Sequence, residues 1–201
     1  LAGLYYQQNH PDQALPMYLE ALDIRRASLP AGHPSIATSL NNLAALYYQQ
    51  NHPDQALPLF LEALEIRRAS LPAGHPDIAR SLNNLAGFYR QQNQLDKALP
   101  MYKEVLEIRR ASLRAGHPDI ARSLHNLAVL YSEQNQLDQA LPLYLEALEI
   151  LRASLPAGHP DIAESLNSLA AFYHNQNQLD KALPLYLEAL EIRRASLPAG
   201  H

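Results

Sequence analysis

The sequence contains no cysteine and no tryptophan. Without thiols it has no disulfide framework, no thiol nucleophile and no thiolate metal site, so its stability must come from packing, and a reducing compartment suits it. Long apolar runs are also missing. Glu, Asp, Gln or Arg breaks every hydrophobic stretch well short of the roughly 20 residues that span a bilayer, which excludes a membrane span from this segment and a membrane as its partner. The opening residues, LAGLYYQQ, lack the basic start and apolar run of a secretory signal, and the expected location is cytoplasmic. An excess of positive charge is absent too: 16 Lys and Arg stand against 20 Asp and Glu, a net charge of −4 spread evenly along the chain. Phosphate backbones need a basic stripe, so nucleic acid is not an expected partner. No glycine-rich phosphate loop, HExxH or GxSxG phrase occurs, and Ser28, Ser39 and their repeats have no evident base partner. The expectation is a non-catalytic chain without a cofactor.

What the chain does have is one unit written repeatedly. Leu1, Leu43, Leu85, Leu127 and Leu169 open copies of a 42-residue repeat covering 1–42, 43–84, 85–126, 127–168 and 169–201. The first two copies differ only at Gly3/Ala45, Met17/Leu59, Tyr18/Phe60, Asp23/Glu65, Ser35/Asp77 and Thr38/Arg80. Within a copy, Ile36, Leu40, Leu43, Ala44 and Tyr47 follow the spacing of an amphipathic helix, here helix A. Ala56, Leu57, Phe60, Leu61, Ala63, Leu64 and Ile66 form the broad apolar face of a second, helix B. No segment alternates with the period of a strand, so each copy is expected to be a helical hairpin and the chain all-α.

The phrase LPAGHPDIA joins one copy to the next. Gly74, Gly116 and Gly158 are expected in the left-handed conformation just past helix B, and Pro76 with Asp77 in the first turn of the next helix A. The recurrent His33, His75, His117 and His159 fall about one helix pair apart. That is too far to share a metal ion at ligand distances of roughly 2 Å, and no metal site is expected. On this reading His117→Ala is milder than a glycine replacement. Pro16, Pro58, Pro100, Pro142 and Pro184 follow the Asp that opens helix B by four residues. There, a first-turn proline loses no bond, and the uninterrupted apolar pattern favours a continuous helix with a mild kink or one water-satisfied carbonyl.

Leu43-Ala44, Tyr47, Ala56, Phe60 and Ala63 stand at the Leu, small, Tyr, Ala, aromatic and Ala positions of the tetratricopeptide repeat, at its spacing, and all five copies fit. The whole chain resembles this family. Its period, its long helix B and its LNNLAxLY and GHPDIA phrases are similar to the kinesin light chain variety. It departs from the pattern in carrying Leu40, Leu82, Leu124 and Leu166 where the family often has Trp, and in lacking the usual proline after helix B. The resemblance implies a single right-handed superhelical α-solenoid of stacked antiparallel helix pairs over 1–201, with helices A on the concave wall and helices B on the convex one. Similar arrays serve as binding arms in unrelated proteins, so kinesin association is not implied.

In the family, the face of helix A turned away from its Leu-Ala-Tyr stripe lines the groove. Here it carries Asn42, Asn84, Asn126 and Ser168 in one row and Asn41, Asn83, His125 and Asn167 beside it. A carboxamide both donates and accepts, so such a row suits the backbone of an extended peptide; equally, it suits bridging between helices or a solvated wall. Copy-to-copy variation gathers on the same wall, in the rows Thr38, Arg80, Arg122, Glu164 and Tyr6, Tyr48, Arg90, Ser132, His174. Guanidinium binds carboxylate through paired hydrogen bonds, so Arg80, Arg90 and Arg122 point to an acidic peptide. The acidic residues at 23, 65, 107, 149 and 191, with arginine pairs such as Arg67-Arg68, read as a solvated, ion-paired face of helix B. The expected function is a module binding a peptide or partner segment in the groove. The alternatives are a structural scaffold that associates end to end through uncapped termini, and a sensor arm of a larger signalling protein.

Overall fold

A computed structural model of the chain describes residues 2–7 and 10–196. Among these residues the protein is all-α, with ten helices paired and stacked: α1 (Ala2–Gln7), α2 (Pro11–Ser28), α3 (Pro34–Gln49), α4 (Pro53–Ser70), α5 (Pro76–Gln91), α6 (Leu95–Ser112), α7 (Pro118–Glu133), α8 (Leu137–Ser154), α9 (Pro160–Asn175) and α10 (Leu179–Ser196). Odd helices are the expected helix A and even ones helix B. Contacts divide the chain into two compact units, Leu1–Ile108 and Arg109–His201, each described below by itself.

The recurrent histidine has a structural task. His75 precedes Pro76, the first residue of α5, and its Nδ1 accepts a hydrogen bond from the Asp77 backbone N–H at 3.1 Å. His33, His117 and His159 do the same for Ser35, Asp119 and Asp161. Each imidazole is thus an N-cap, occupying one of the donors that a helix start leaves unpaired, and the accepting nitrogen carries no proton.

The left-handed caps lie elsewhere than expected. They are Asn51, Asn93, Asn135 and Asn177, with φ of 56° to 62°, at the ends of helices A. After α3, the Asn51 N–H reaches the Tyr48 carbonyl at 3.0 Å and the His52 N–H the Tyr47 carbonyl at 2.9 Å, the Schellman arrangement. Helix B closes differently: Leu71, in extended conformation, donates its N–H to the Arg67 carbonyl, and a turn from Pro72 to His75 follows. Gly74 and Gly116 are left-handed, with φ of 85° and 86°, but in that turn, beyond the helix end. Gly158 is outside the left-handed region, so its cap assignment is corrected.

Helix B starts just before Asp54, as expected, yet its inner proline lies past the first-turn N–H groups that need no acceptor. α4 starts at Pro53, which makes Pro58 its sixth residue, and Pro58 removes the N–H that would reach the Asp54 carbonyl. The helix nonetheless runs on without a break. Pro58 and its four counterparts are exposed, so water reaches the side that loses the bond.

Leu22, Ile36, Ala37, Leu40, Leu43 and Ala63, from α2, α3 and α4, form one buried cluster, with Tyr18, Tyr47 and Ile66 packed against it. A second tie between successive hairpins is polar. Arg67, at the end of α4, is 0% exposed; its Nη1 donates to the Asp77 carbonyl and Ser81 Oγ of α5, and its Nη2 to Thr38 Oγ1 of α3. Arg109 repeats this toward Asp119 and Ser123, and Arg25 toward Ser35 and Ser39. Burial, with Arg80 nearby, pushes the Arg67 guanidinium down to about 10, with Asp77 opposing. The fourth copy has Leu151 in this place, also buried.

The reading of Arg67-Arg68 as a solvated pair therefore holds for only half of it. Arg68 is exposed and pairs with Glu104 at 2.7 Å, 36 residues along the chain. Arg26–Glu62, Arg110–Glu146 and Arg152–Glu188 repeat that step. The ion-paired acids are thus those at 62, 104, 146 and 188, three residues before the row proposed from sequence.

Candidate functional site

The helices A α3, α5, α7 and α9 each bury most of their circumference, leaving one narrow stripe. In α3, Asn42 and Gln49 are exposed and Thr38 and Ala45 half-buried; Arg80, Asn84, Gly87 and Gln91 occupy the same places in α5. In the second unit the stripe reads Arg122, Asn126, Val129 and Glu133 on α7, and Glu164, Ser168, Ala171 and Asn175 on α9. The spacing i, i+4, i+7, i+11 keeps these positions on one side of a helix. Sequence reading found the first two rows and, of the two beyond them, Glu133 alone; a continuation of the same helical step locates the rest.

The proposed groove residues fall into two sets. Asn42, Asn84, Asn126, Arg80 and Arg122 lie on the stripe. Asn41, in the neighbouring row, is 4% exposed and its Oδ1 is buried without a hydrogen-bond partner. Asn83, His125 and Asn167 are half-buried, as Asn84 and Asn126 on the stripe also are. His125 packs edge-on against Tyr144 of its own hairpin at 5.8 Å between ring centres. Tyr6 is in α1, and its side chain is outside the described residues.

Electrostatics tie the stripe arginines to their own helix. Arg80 pairs with Asp77 at 3.0 Å and Arg122 with Asp119 at 2.7 Å, each one turn back. Thr38 is engaged with the scaffold through the Pro34 carbonyl and Arg67. A ligand carboxylate at Arg80 or Arg122 therefore competes with an aspartate already in place.

Tyr48 fills space rather than presenting itself. Its ring packs on Phe88 at 5.3 Å, and its hydroxyl is buried without a hydrogen-bond partner, which raises its pKa, Arg90 opposing. In the second unit a cleft of about 460 Å³ opens between α7, the start of α8, and α9, lined by Val129, Ser132, Glu133, Tyr144, Ala171 and Phe172 among others. Among the described residues no group of His, Asp and Glu could hold a metal ion, and no helix is long and apolar enough to cross a membrane.

The sequence pattern described as tetratricopeptide repeat matches residues 1–69, 77–153 and 139–195, and a second pattern of the same description matches 41–112. No curated protein matches the chain. Among solved structures, a kinesin light chain-like protein of Podosopora anserina with nearly identical TPR-like repeats superposes with a TM-score of 0.81 at 26% identity, covering 98% of this chain and 94% of that one. BtubC (BKLC) from P. vanneervenii gives 0.83 at 25% identity, covering 100% and 81%. The apo form of RapI gives 0.82 at 20% identity, covering 97% and 68%, a likeness of fold alone.

Proposed function

Because the chain belongs to the tetratricopeptide repeat family, we propose that it is a non-catalytic protein-interaction module whose open helix A faces hold an extended peptide or partner segment. The five copies act as one array over 1–201. The observation that carries this reading is where the copies differ. Buried positions such as Leu40, Leu82, Leu124 and Leu166 stay constant, while the stripe changes from Thr38 to Arg80, Arg122 and Glu164. Conserving packing while varying an exposed lining is the pattern of a recognition surface on a fixed scaffold. On this reading Asn84 and Asn126 hold ligand backbone, and Arg80 and Arg122 favour acidic side chains that displace Asp77 and Asp119.

The test compares an acidic and a neutral peptide at two salt concentrations. Asn84→Ala with Asn126→Ala weakens both peptides alike, each lost hydrogen bond being worth about 1 kcal/mol. Arg80→Ala with Arg122→Ala removes the acidic preference and flattens the salt dependence. Unchanged binding in both pairs, with loss on Arg68→Ala, would move the ligand to the face of helices B.

A second reading, self-association, is supported by the apolar face of α10. Leu190 is 42% and Tyr186 36% exposed, whereas Leu64 and Phe60 at the same positions are 7% and 2%. Light scattering that stays monomeric up to millimolar concentration would overturn it.

A further inference from the structure

The cleft in the second unit lies where one copy lacks a ring that another has. In the first unit the rings of Phe60 and Phe88 are 5.9 Å apart, and Tyr48 adds a third ring against Phe88. The same pair recurs in the second unit as Tyr144 and Phe172, 5.5 Å apart. The position of Tyr48 is there taken by Ser132, whose hydroxyl turns back onto its own helix and donates to the Ala128 carbonyl at 2.9 Å. The third ring is missing, and Ser132, Tyr144 and Phe172 line the resulting cleft. Its 460 Å³ falls in the roughly 300–1,000 Å³ range of ligand pockets.

We infer that this cleft receives one aromatic side chain of a bound peptide, with a basic residue beside it in that peptide. The first unit supplies the template for the ring. Tyr48 lies against Phe88 within the distance at which tilted aromatic pairs attract, and Phe172 is the residue corresponding to Phe88. The charge supplies the neighbour: among the described residues Glu133 is the one formally charged group lining the cleft, and it is exposed at the end of α7. An aliphatic side chain would fill part of the space without the ring-to-ring contact, and an acidic neighbour would meet Glu133. Val129, Glu133, Ser168, Ala171 and Asn175 belong at once to the cleft and to the open stripe, so the inference rests on the peptide-binding reading of that stripe.

Ser132→Tyr tests it by giving the fourth copy the residue that the first and second carry. The probes are acetylated, amidated peptides Gly-Gly-X-Lys-Gly-Gly with X as Tyr, Phe, Leu or Ala, titrated into the full chain while the methyl signals of Val129 and Ala171 are followed by NMR. Tyr and Phe peptides should bind about tenfold or more tighter than the Ala peptide, and replacing the peptide Lys by Glu should weaken them several-fold. Ser132→Tyr should abolish the aromatic advantage without lowering Tm, and Ser132→Ala should keep it. Ala171→Met narrows the cleft from the opposite wall and should act as Ser132→Tyr does, so the result does not depend on one variant folding. Equal binding of all four peptides, insensitive to Ser132→Tyr, overturns the cleft but leaves the groove standing. Binding by none of them at millimolar concentration overturns both.

Discussion

Arg67, at the end of the helix B α4, donates a hydrogen bond to the hydroxyl of Ser81 in α5, the helix A of the next hairpin, and both side chains are fully buried. Among the described residues the guanidinium donates to a carbonyl and two hydroxyls, and the Asp77 carboxylate acts on it only through space. Truncation leaves a void and strands those acceptors, so Arg67→Ala should cost about 3 kcal/mol in urea unfolding. Arg67→Leu should stay within about 1 kcal/mol, because replacing a buried charge by a packed apolar side chain is often neutral or better. Leu151 already fills this position in the fourth copy.

The Arg68–Glu104 pair is a different kind of tie. Its side chains are 51% and 40% exposed, so water screens the attraction. A double-mutant cycle should give a coupling of about 0.2–1 kcal/mol, shrinking further in molar salt.

Removing the N-cap at His117 should cost about 1 kcal/mol as Ala, as much as a glycine replacement and not less as the sequence suggested, and much less as Asn, whose side-chain oxygen can accept the same Asp119 N–H. Thermal melts of the two variants separate a capping role from simple loss of an imidazole.

At the other end of helix A, Asn93 has φ of 56°. Asn93→Gly should leave stability unchanged or raise it, while Asn93→Ala should lose about 1 kcal/mol or more by forcing a Cβ into the left-handed region. Gly74→Ala should lose a similar amount from its φ of 85° alone, since nothing lies within 4 Å of the added Cβ. Gly158→Ala should be neutral or slightly stabilising, as it carries no such constraint.

The hairpins were legible because Ile36, Leu40, Leu43, Ala44 and Tyr47 repeat with a helical period that no strand reproduces. The buried arginine was not, because Arg67-Arg68 offers two identical side chains on adjacent positions. Which one turns inward depends on the next hairpin placing Ser81 opposite it. The caps were misread for a related reason: glycine is the default left-handed residue, yet Asn51 and its counterparts hold that conformation in the shared phrase QN, which reads merely as polar. Of the candidate site, the rows at 42 and 80 were visible through their polarity and variation. The cleft was not, since it depends on the absence of a ring at Ser132 and on two rings brought together by folding.

The fixed step from Arg26 to Glu62, repeated from Arg68 to Glu104, has a consequence for the gene. Excising the 126 base pairs that encode residues 43–84 would bring Glu104 into the place of Glu62, at the same 36-residue step from Arg26. Unequal recombination between such copies leaves the junction no different from the ones already present. The number of units is therefore free to drift between generations, and selection can act on how much lining the array exposes while its packing stays unchanged.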